Sequence, residues 1–535
     1  MCRDEHDHHA SDGPVRPHTC CPAPPPDGAY DAGLTRRGFL GGMGGAALSG
    51  VALTGLTWSS LAAEEPGLPA APPRRPLVVK PVLLYHLPVR KPQTSWRSWG
   101  GVQTQQDLDG EVARINGELK KLQSDADFPV KFLPLEALDN AAKLAESPDV
   151  KAADTLLVYA CNGNLNEIAK LKKDTIFFLR HKSGPLYLYY EIISPRFLRQ
   201  HTDTRVVEGI DDDDVVVDSQ DEILWRLRSL CGLHNTLGTK ILAVGGPGGW
   251  AQPKGVVADL VREKWKLDIQ TIPYRPDPKL PDQADLTALF QAAREDKAAV
   301  ELARKRADAY LKLPGTTLET ERAFVDNAFL LEQVFRKLMA KADCRAITIN
   351  SCMGTIMPIT ETTACLPLST LNDDGYVAFC ESDFVVIPAG ILMSSISGKP
   401  PFLNDPTYPH DGVITIAHCT GPRKMDGKTL EPARIMTHFE SDYGATPKVE
   451  MHTGQVVTNV IPDFKEERWV GLLGEIIAHP FLPICRAQID IRYEPSDLLV
   501  AERMPGFHWM TIYGDYHREI GYAIKKIPVQ WEFLG

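Results

Sequence analysis

Three short stretches in the last third of the chain carry the residue types that bind divalent cations. They are Cys380-Glu381-Ser382-Asp383, His418-Cys419-Thr420-Gly421-Pro422 and Gly506-Phe507-His508-Trp509, the last followed by Tyr513-Gly514-Asp515. Carboxylate oxygens and imidazole nitrogens, without paired-thiolate spacing, suit Mn²⁺ and similar ions. Such a site serves chemistry when it leaves positions open to a substrate's oxygens. The pieces stand far apart along the chain, so only tertiary structure can bring them together. Each also has a structural reading. Glu381 or Asp383 could cap a helix opened by the apolar run Phe384 to Met393. His418 follows a buried-looking strand, Gly412 to Ala417, and could be a hydrogen-bonded wall residue. His508 alternates with Phe507 and Trp509, which turns it to the face opposite both.

Further motifs surround these between about Ala346 and Tyr516: Cys365-Leu366-Pro367-Leu368, Leu371-Asn372-Asp373-Asp374-Gly375, Thr437-His438-Phe439-Glu440-Ser441-Asp442-Tyr443-Gly444, Gly474-Glu475-Ile476 and Cys485-Arg486-Ala487-Gln488. Their order and spacing resemble the C-terminal domain of the L-fucose isomerase / L-arabinose isomerase superfamily. Upstream, Lys240 to Gly246 followed by Trp250 is similar to a strand and loop of that family's second α/β domain. The resemblance implies a metal-dependent aldose–ketose (sugar) isomerase acting through an enediol, with Mn²⁺ or another divalent cation. It also implies two Rossmann-like α/β domains with parallel sheets followed by a mostly β C-terminal domain, and assembly into trimers or hexamers.

Carried over by position, the family's acid falls on Glu381 or Asp383 and its late histidine on His508. A first carboxylate is expected upstream of the C-E-S-D motif. Glu361 is the only acid between Asn350 and Pro367, in a local sequence that departs from the family's pattern. Glu361, Glu381 and Asp383 are thus the expected catalytic acids, and the same three with His508 the expected metal ligands. His418 and Trp250 are expected to meet a small-molecule sugar. Two alternatives stand beside this one: a non-catalytic periplasmic sugar-binding protein on the same scaffold, and a nicotinamide-dependent sugar oxidoreductase. The last is suggested by Gly246, Gly248 and Ala251 at G-x-G-x-x-A spacing, although Pro247 and Pro253 stiffen the loop and Asp268 precedes the next strand rather than ending it.

Alternating strands and helices must position these residues. Leu77 to Tyr85, Val130 to Leu133, Thr155 to Tyr159, Thr175 to Leu179 and Ile241 to Val244 read as strands. Asp109 to Gln123 reads as a helix with Val112, Ile115, Leu119 and Leu122 on one side. That alternation argues for parallel sheets with helices on their faces. Asp285 to Leu311 and Glu319 to Ala342 read as two long amphipathic helices around Pro314-Gly315. The resulting division is 76–170 for a first α/β domain, 171–343 for a second with a helical hairpin, and 344–535 for the β-rich remainder.

The front of the chain reads differently. A polar, Pro-rich lead (1–33) precedes Thr35-Arg36-Arg37-Gly38-Phe39-Leu40 and an apolar Gly/Ala-rich run from Gly41 to Trp58, closing on Ser60-Leu61-Ala62-Ala63. Residues 34–63 resemble a twin-arginine export signal, which implies a periplasmic or otherwise exported protein without stable membrane insertion after processing. A Pro/Ala-rich linker follows (64–75). The chain carries 58 Lys and Arg against 69 Asp and Glu, a net charge of −11, without a basic stripe. Nucleic-acid binding therefore has no electrostatic support. Of 11 cysteines, the eight beyond the signal are scattered, unlike a small disulfide scaffold. Several fall in the strand-like core of the last region, where cysteine usually behaves as a small apolar residue.

Overall fold

A computed structural model of the protein describes residues 53–64, 67–161, 165–188, 193–249 and 256–535. The fold is mixed α/β: two parallel sheets, then an antiparallel region closed into a barrel. The first sheet has strand order β2-β1-β4-β5-β6, with β3 also on β1. Its strands are β1 Leu77–Leu84, β2 Val130–Phe132, β3 Glu136–Leu138, β4 Thr155–Ala160, β5 Asp174–Leu179 and β6 Val215–Val217. Every residue of β4 is buried, as expected of a central strand covered on both faces. A helix at Gln105–Asp125 lies beside this sheet. It starts in a capping box between Thr104 and Asp107, and buries Leu108, Ile115, Leu119 and Leu122 at helical spacing.

The second sheet takes β7 Lys240–Val244, β8 Asp268–Ile272, β10 Ala346–Ile349 and β11 Val377–Cys380 in the order β11-β10-β7-β8, all parallel. A short strand, β9 Thr316–Glu319, instead joins β14 Ala433–His438 and β15 Tyr443–Val449 in a three-stranded sheet. The remaining strands are β12 Phe402–Pro406, β13 Val413–His418, β16 Val456–Pro462, β17 Arg468–Ala478, β18 Ala487–Arg492, β19 Trp509–Tyr513 and β20 Gln530–Phe533. Their order is β16-β19-β12-β13-β18-β17-β20, and β16 pairs with β17 as well as β19. That extra pairing closes six strands into a barrel and removes their exposed edges.

Sheet membership corrects both expected internal divisions. β5 and β6 lie beyond residue 170 yet pair with the first sheet, because β5 is in parallel register with β4 from Asp174 onward. β10 and β11 lie beyond residue 343 yet pair with β7, completing the second sheet. Periodicity identifies strands but carries no information about which sheet they join. The long helix expected from Asp285 to Leu311 is two helices, Leu286–Glu295 and Lys297–Leu311. Asp296 divides them: it leaves helical geometry (ψ 108) and its carboxylate accepts from the N–H groups of Ala298 and Ala299 as an N-cap.

Arg36, Arg37 and the apolar run up to residue 52 lie outside the described residues. The tail of the expected signal does not. Trp58–Glu64 is a short helix whose Trp58 and Leu61 are buried in the largest core cluster. The Trp58 indole donates to Asp296 at 2.9 Å, and Lys337 Nζ donates to Leu61 O at 3.1 Å. Among the described residues, no helix is long and apolar enough to cross a membrane.

Candidate metal centre

Parallel strands release their chains at one edge of a sheet, and three such releases meet here. β11 ends at Cys380, and Glu381 follows it in the left-handed region (φ 58). A non-glycine residue held there costs about 1–2 kcal/mol, a local strain common at functional sites. The loop after β7 reaches the same place: Gly248 N–H donates to Ser382 O at 3.0 Å, and Phe384 N–H donates to Gly248 O at 3.2 Å. A Cβ on Gly248 would stand 3.1 Å from Ser382 O, so this close approach favours glycine. Asn350, following β10, lies beside Gly248. The strand order places β7 and β10 side by side with their crossovers diverging, and open sheets bind ligands at such a crevice.

The barrel supplies the other face. β13 ends with His418, β12 carries Asp405 near its end, and His508 immediately precedes β19. Ligand atoms of Glu381, His418 and His508 lie within 4.8 Å of one another. His508 Nε2 is 3.5 Å from Glu381 Oε2 and 3.2 Å from Asp405 Oδ1, and His418 Nε2 is 4.0 Å from Glu381 Oε1. The other imidazole nitrogen of His508, Nδ1, is 2.8 Å from Asp383 Oδ2. Asp383 Oδ1 accepts from Val385 N–H at 3.1 Å. Asp383 is not the helix cap its position suggested, since the helix Ile387–Ser397 starts after Val386 without a side-chain cap; its carboxylate instead holds the turn at Val385 and orients His508.

Burial and charge tune the cluster. Burial disfavours the His508 imidazolium, but the Asp383 and Glu381 carboxylates outweigh it and raise its pKa to about 10. Burial lowers the pKa of His418, leaving a neutral imidazole suited to ligation. Burial also drives the Asp405 carboxyl well above the usual range, with His508 only partly opposing the shift. Alongside His508 and Asp383 lies a cavity of about 360 Å³, walled by Val385, Ile461 and Phe507, with Arg468 and Arg503 at its polar margin.

The structure therefore brings together Glu381, Asp383, His418 and His508, with Asp383 bonded to a ligand-type imidazole rather than grouped among the ligand atoms. It does not bring Glu361. That residue ends the helix Cys352–Thr360 in the left-handed region, is 57% exposed, and pairs with Arg294 at 2.7 Å. The sequence offered no other acid in that segment, but the helix turns this one outward. Trp250 lies outside the described residues. Asp405 is the residue the motifs missed. Its one signal is an acid at the end of the apolar strand Phe402-Leu403-Asn404-Asp405, where a buried carboxylate demands a partner.

The donor set suits a first-row divalent ion: two imidazoles and a carboxylate, a second carboxylate nearby, and no thiolate. The glycine loop is a poor dinucleotide cradle by comparison. Asp268 pairs with Lys240 at the start of β7, about 13 Å down the sheet from the loop at that strand's far end. Fold and site together define a mixed α/β and β-barrel protein with a buried carboxylate–imidazole cluster where the two architectures meet. No family model matches the chain, and no curated protein matches its sequence.

Proposed function

We propose that the protein is a metal-dependent sugar isomerase-like enzyme that moves a proton between adjacent carbons of an open-chain aldose. The observation that carries this reading is the convergence of Glu381, His418 and His508 with Asp405 where the second sheet meets the barrel. The reaction needs two carboxyl groups of unequal acidity. With Glu361 elsewhere, Asp405 is the second one. A bound Mn²⁺ or similar ion, held by Glu381, His418 and His508, would polarise the substrate's carbonyl and neighbouring hydroxyl. Glu381 withdraws the proton from carbon 2 and returns it to carbon 1. Asp405, its carboxyl pushed toward the protonated form by burial, gives a proton to O1 and recovers one from O2. Asp383 fixes the tautomer and orientation of His508.

Both parallel sheets keep their first strand internal, with later strands branching to either side. That order supports a Rossmann-like reading of each. A trimer or hexamer, and export through the twin-arginine route, belong to the same proposal. The position of Glu361 favours one competing reading, a sugar-binding protein that retains the scaffold without the reaction. One experiment separates the two. Mn²⁺-loaded protein is incubated in D₂O with a panel of aldoses, and ketose formation and deuterium at carbon 2 are followed by NMR. Exchange with at least one sugar supports the enzyme. Calorimetric sugar binding with no exchange across the panel supports the binding protein.

A further inference from the structure

A second cluster of ligand-type side chains sits one residue beyond the first. Cys419, immediately after His418, groups with His438 and Cys485, their ligand atoms within 4.8 Å of one another. Cys365 packs into the same cluster, against Cys419 and Cys485. The four come from four segments: the first turn of the helix Cys365–Asp373, the end of β13, the end of β14, and the loop before β18. All are buried, with exposures of 1%, 3%, 4% and 6% for Cys365, Cys419, His438 and Cys485. The Nδ1 atom of His438 is enclosed without a hydrogen-bond partner, which is costly for an imidazole unless something binds there.

We propose that Cys365, Cys419, His438 and Cys485 form a closed structural Zn²⁺ site, distinct from the carboxylate–imidazole centre. Three thiolates and an imidazole are the soft and borderline donors that select Zn²⁺ over Mn²⁺. A tetrahedral ion with Zn–S bonds of about 2.3 Å separates its sulfurs by about 3.8 Å, so Cys419, His438 and Cys485, within 4.8 Å of one another, need only small rotations to close on it, and Cys365, bonded through its thiol to Cys419, stands next to them as the fourth donor. The neighbourhood is built to hold such a group. Pairing of β14 with β15 shifts register between Met436 and His438, at the point where His438 enters the cluster. Gln488 fixes the loop bearing Cys485 through its amide, which donates to Cys485 O and Leu482 O at 2.9 Å. Arg486, buried and bonded to Thr437 O at 2.8 Å, brings positive charge beside a site whose three thiolates exceed the ion's charge by one.

The ion would tie the small sheet of β14 to the barrel strands β13 and β18 and to the helix Cys365–Asp373. Because Cys419 adjoins His418, the same ion would fix the strand end that presents His418 to the other centre. The site does not depend on the isomerase reading.

The test uses the full chain, purified under reductant, made metal-free and titrated with Co²⁺ alone. The expected result is one equivalent of Co²⁺ giving a thiolate-to-metal charge-transfer band and intense tetrahedral d–d bands, both bleached by one equivalent of Zn²⁺. Glu381→Gln should keep the bands, since a carboxylate–imidazole centre contributes no thiolate transition. Cys485→Ser and His438→Gln should lose or weaken them. Folded, reduced wild-type protein without the charge-transfer band would overturn the proposal even if those variants fail to fold. So would peptide mapping that finds a disulfide between any two of the three cysteines in protein purified without reductant.

Discussion

Replacing Asp383 with Asn tests the candidate centre most sharply, because it removes one charge without altering side-chain size. In the wild type, Asp383 Oδ2 lies 2.8 Å from His508 Nδ1, and the two side chains are 3% and 0% exposed. Removing the partner that orients a metal-bound imidazole typically costs 10–100-fold in metal affinity, about 1.4–2.8 kcal/mol. A second effect opposes the first. The metal must displace a proton from His508, whose pKa the Asp383 and Glu381 carboxylates raise to about 10 against the opposing effect of burial. Below that value, each unit of pH costs the wild type about tenfold in apparent affinity. Asp383→Asn lessens this competition, so the variant's deficit should be small at pH 6.5 and grow toward pH 8. Isothermal titration of metal-free protein with Mn²⁺ at both pH values reads the difference. Glu361→Gln is the control: an exposed pair with Arg294 contributes less than about 1 kcal/mol to stability, and its loss should leave Mn²⁺ affinity unchanged. The reasoning fails if Asp383→Asn binds Mn²⁺ as wild type does at pH 8, or if Glu361→Gln weakens binding as much.

Other expectations concern stability and processing. Burial, against the indole donors of Trp469 and Trp265, pushes Glu466 up to about 8. The unfolded chain releases that proton near pH 4.5, so the native state loses stability as pH rises from about 4.5 to about 8, by at most about 1.4 kcal/mol per unit. Glu466→Gln should therefore denature later than wild type at pH 8 and alike at pH 4.5; an unchanged pH slope would contradict this. Arg180, 1% exposed, donates to Glu111 and Glu118, and Arg180→Ala leaves those carboxylates without their cation. Chemical denaturation should register a loss of about 3–5 kcal/mol, and a loss below about 1 would refute the assignment. Replacing Arg36 and Arg37 with Lys should hold the protein in the cytoplasm, and undiminished periplasmic recovery would remove the export proposal. Trp58→Ala should lower the melting temperature of the full chain only if residues 58–64 stay attached after export, which mass spectrometry of the recovered protein decides.

The sequence by itself determined the elements whose signals are local. Largely apolar runs such as Thr155 to Tyr159 are buried strands, and the spacing of Ile115, Leu119 and Leu122 gives the helix its inner face. It also named three of the side chains that come together, Glu381, His418 and His508, because each carries a ligand-type group within a short motif of the last third of the chain. What it left open required distances between remote segments. Glu361 and Asp405 look alike as acids in sequence. One ends a helix at the surface with Arg294, and the other is turned inward by a barrel strand to within 3.2 Å of His508. Sheet membership of β5, β6, β10 and β11 depended on pairing, which no run of residues encodes. The four buried Cys and His side chains read singly as small apolar or wall residues, since their spacing of 19 to 54 positions matches no metal-binding pattern. Only the tertiary structure makes them a group, because folding a barrel against a small sheet brings four distant strand and helix ends to one point.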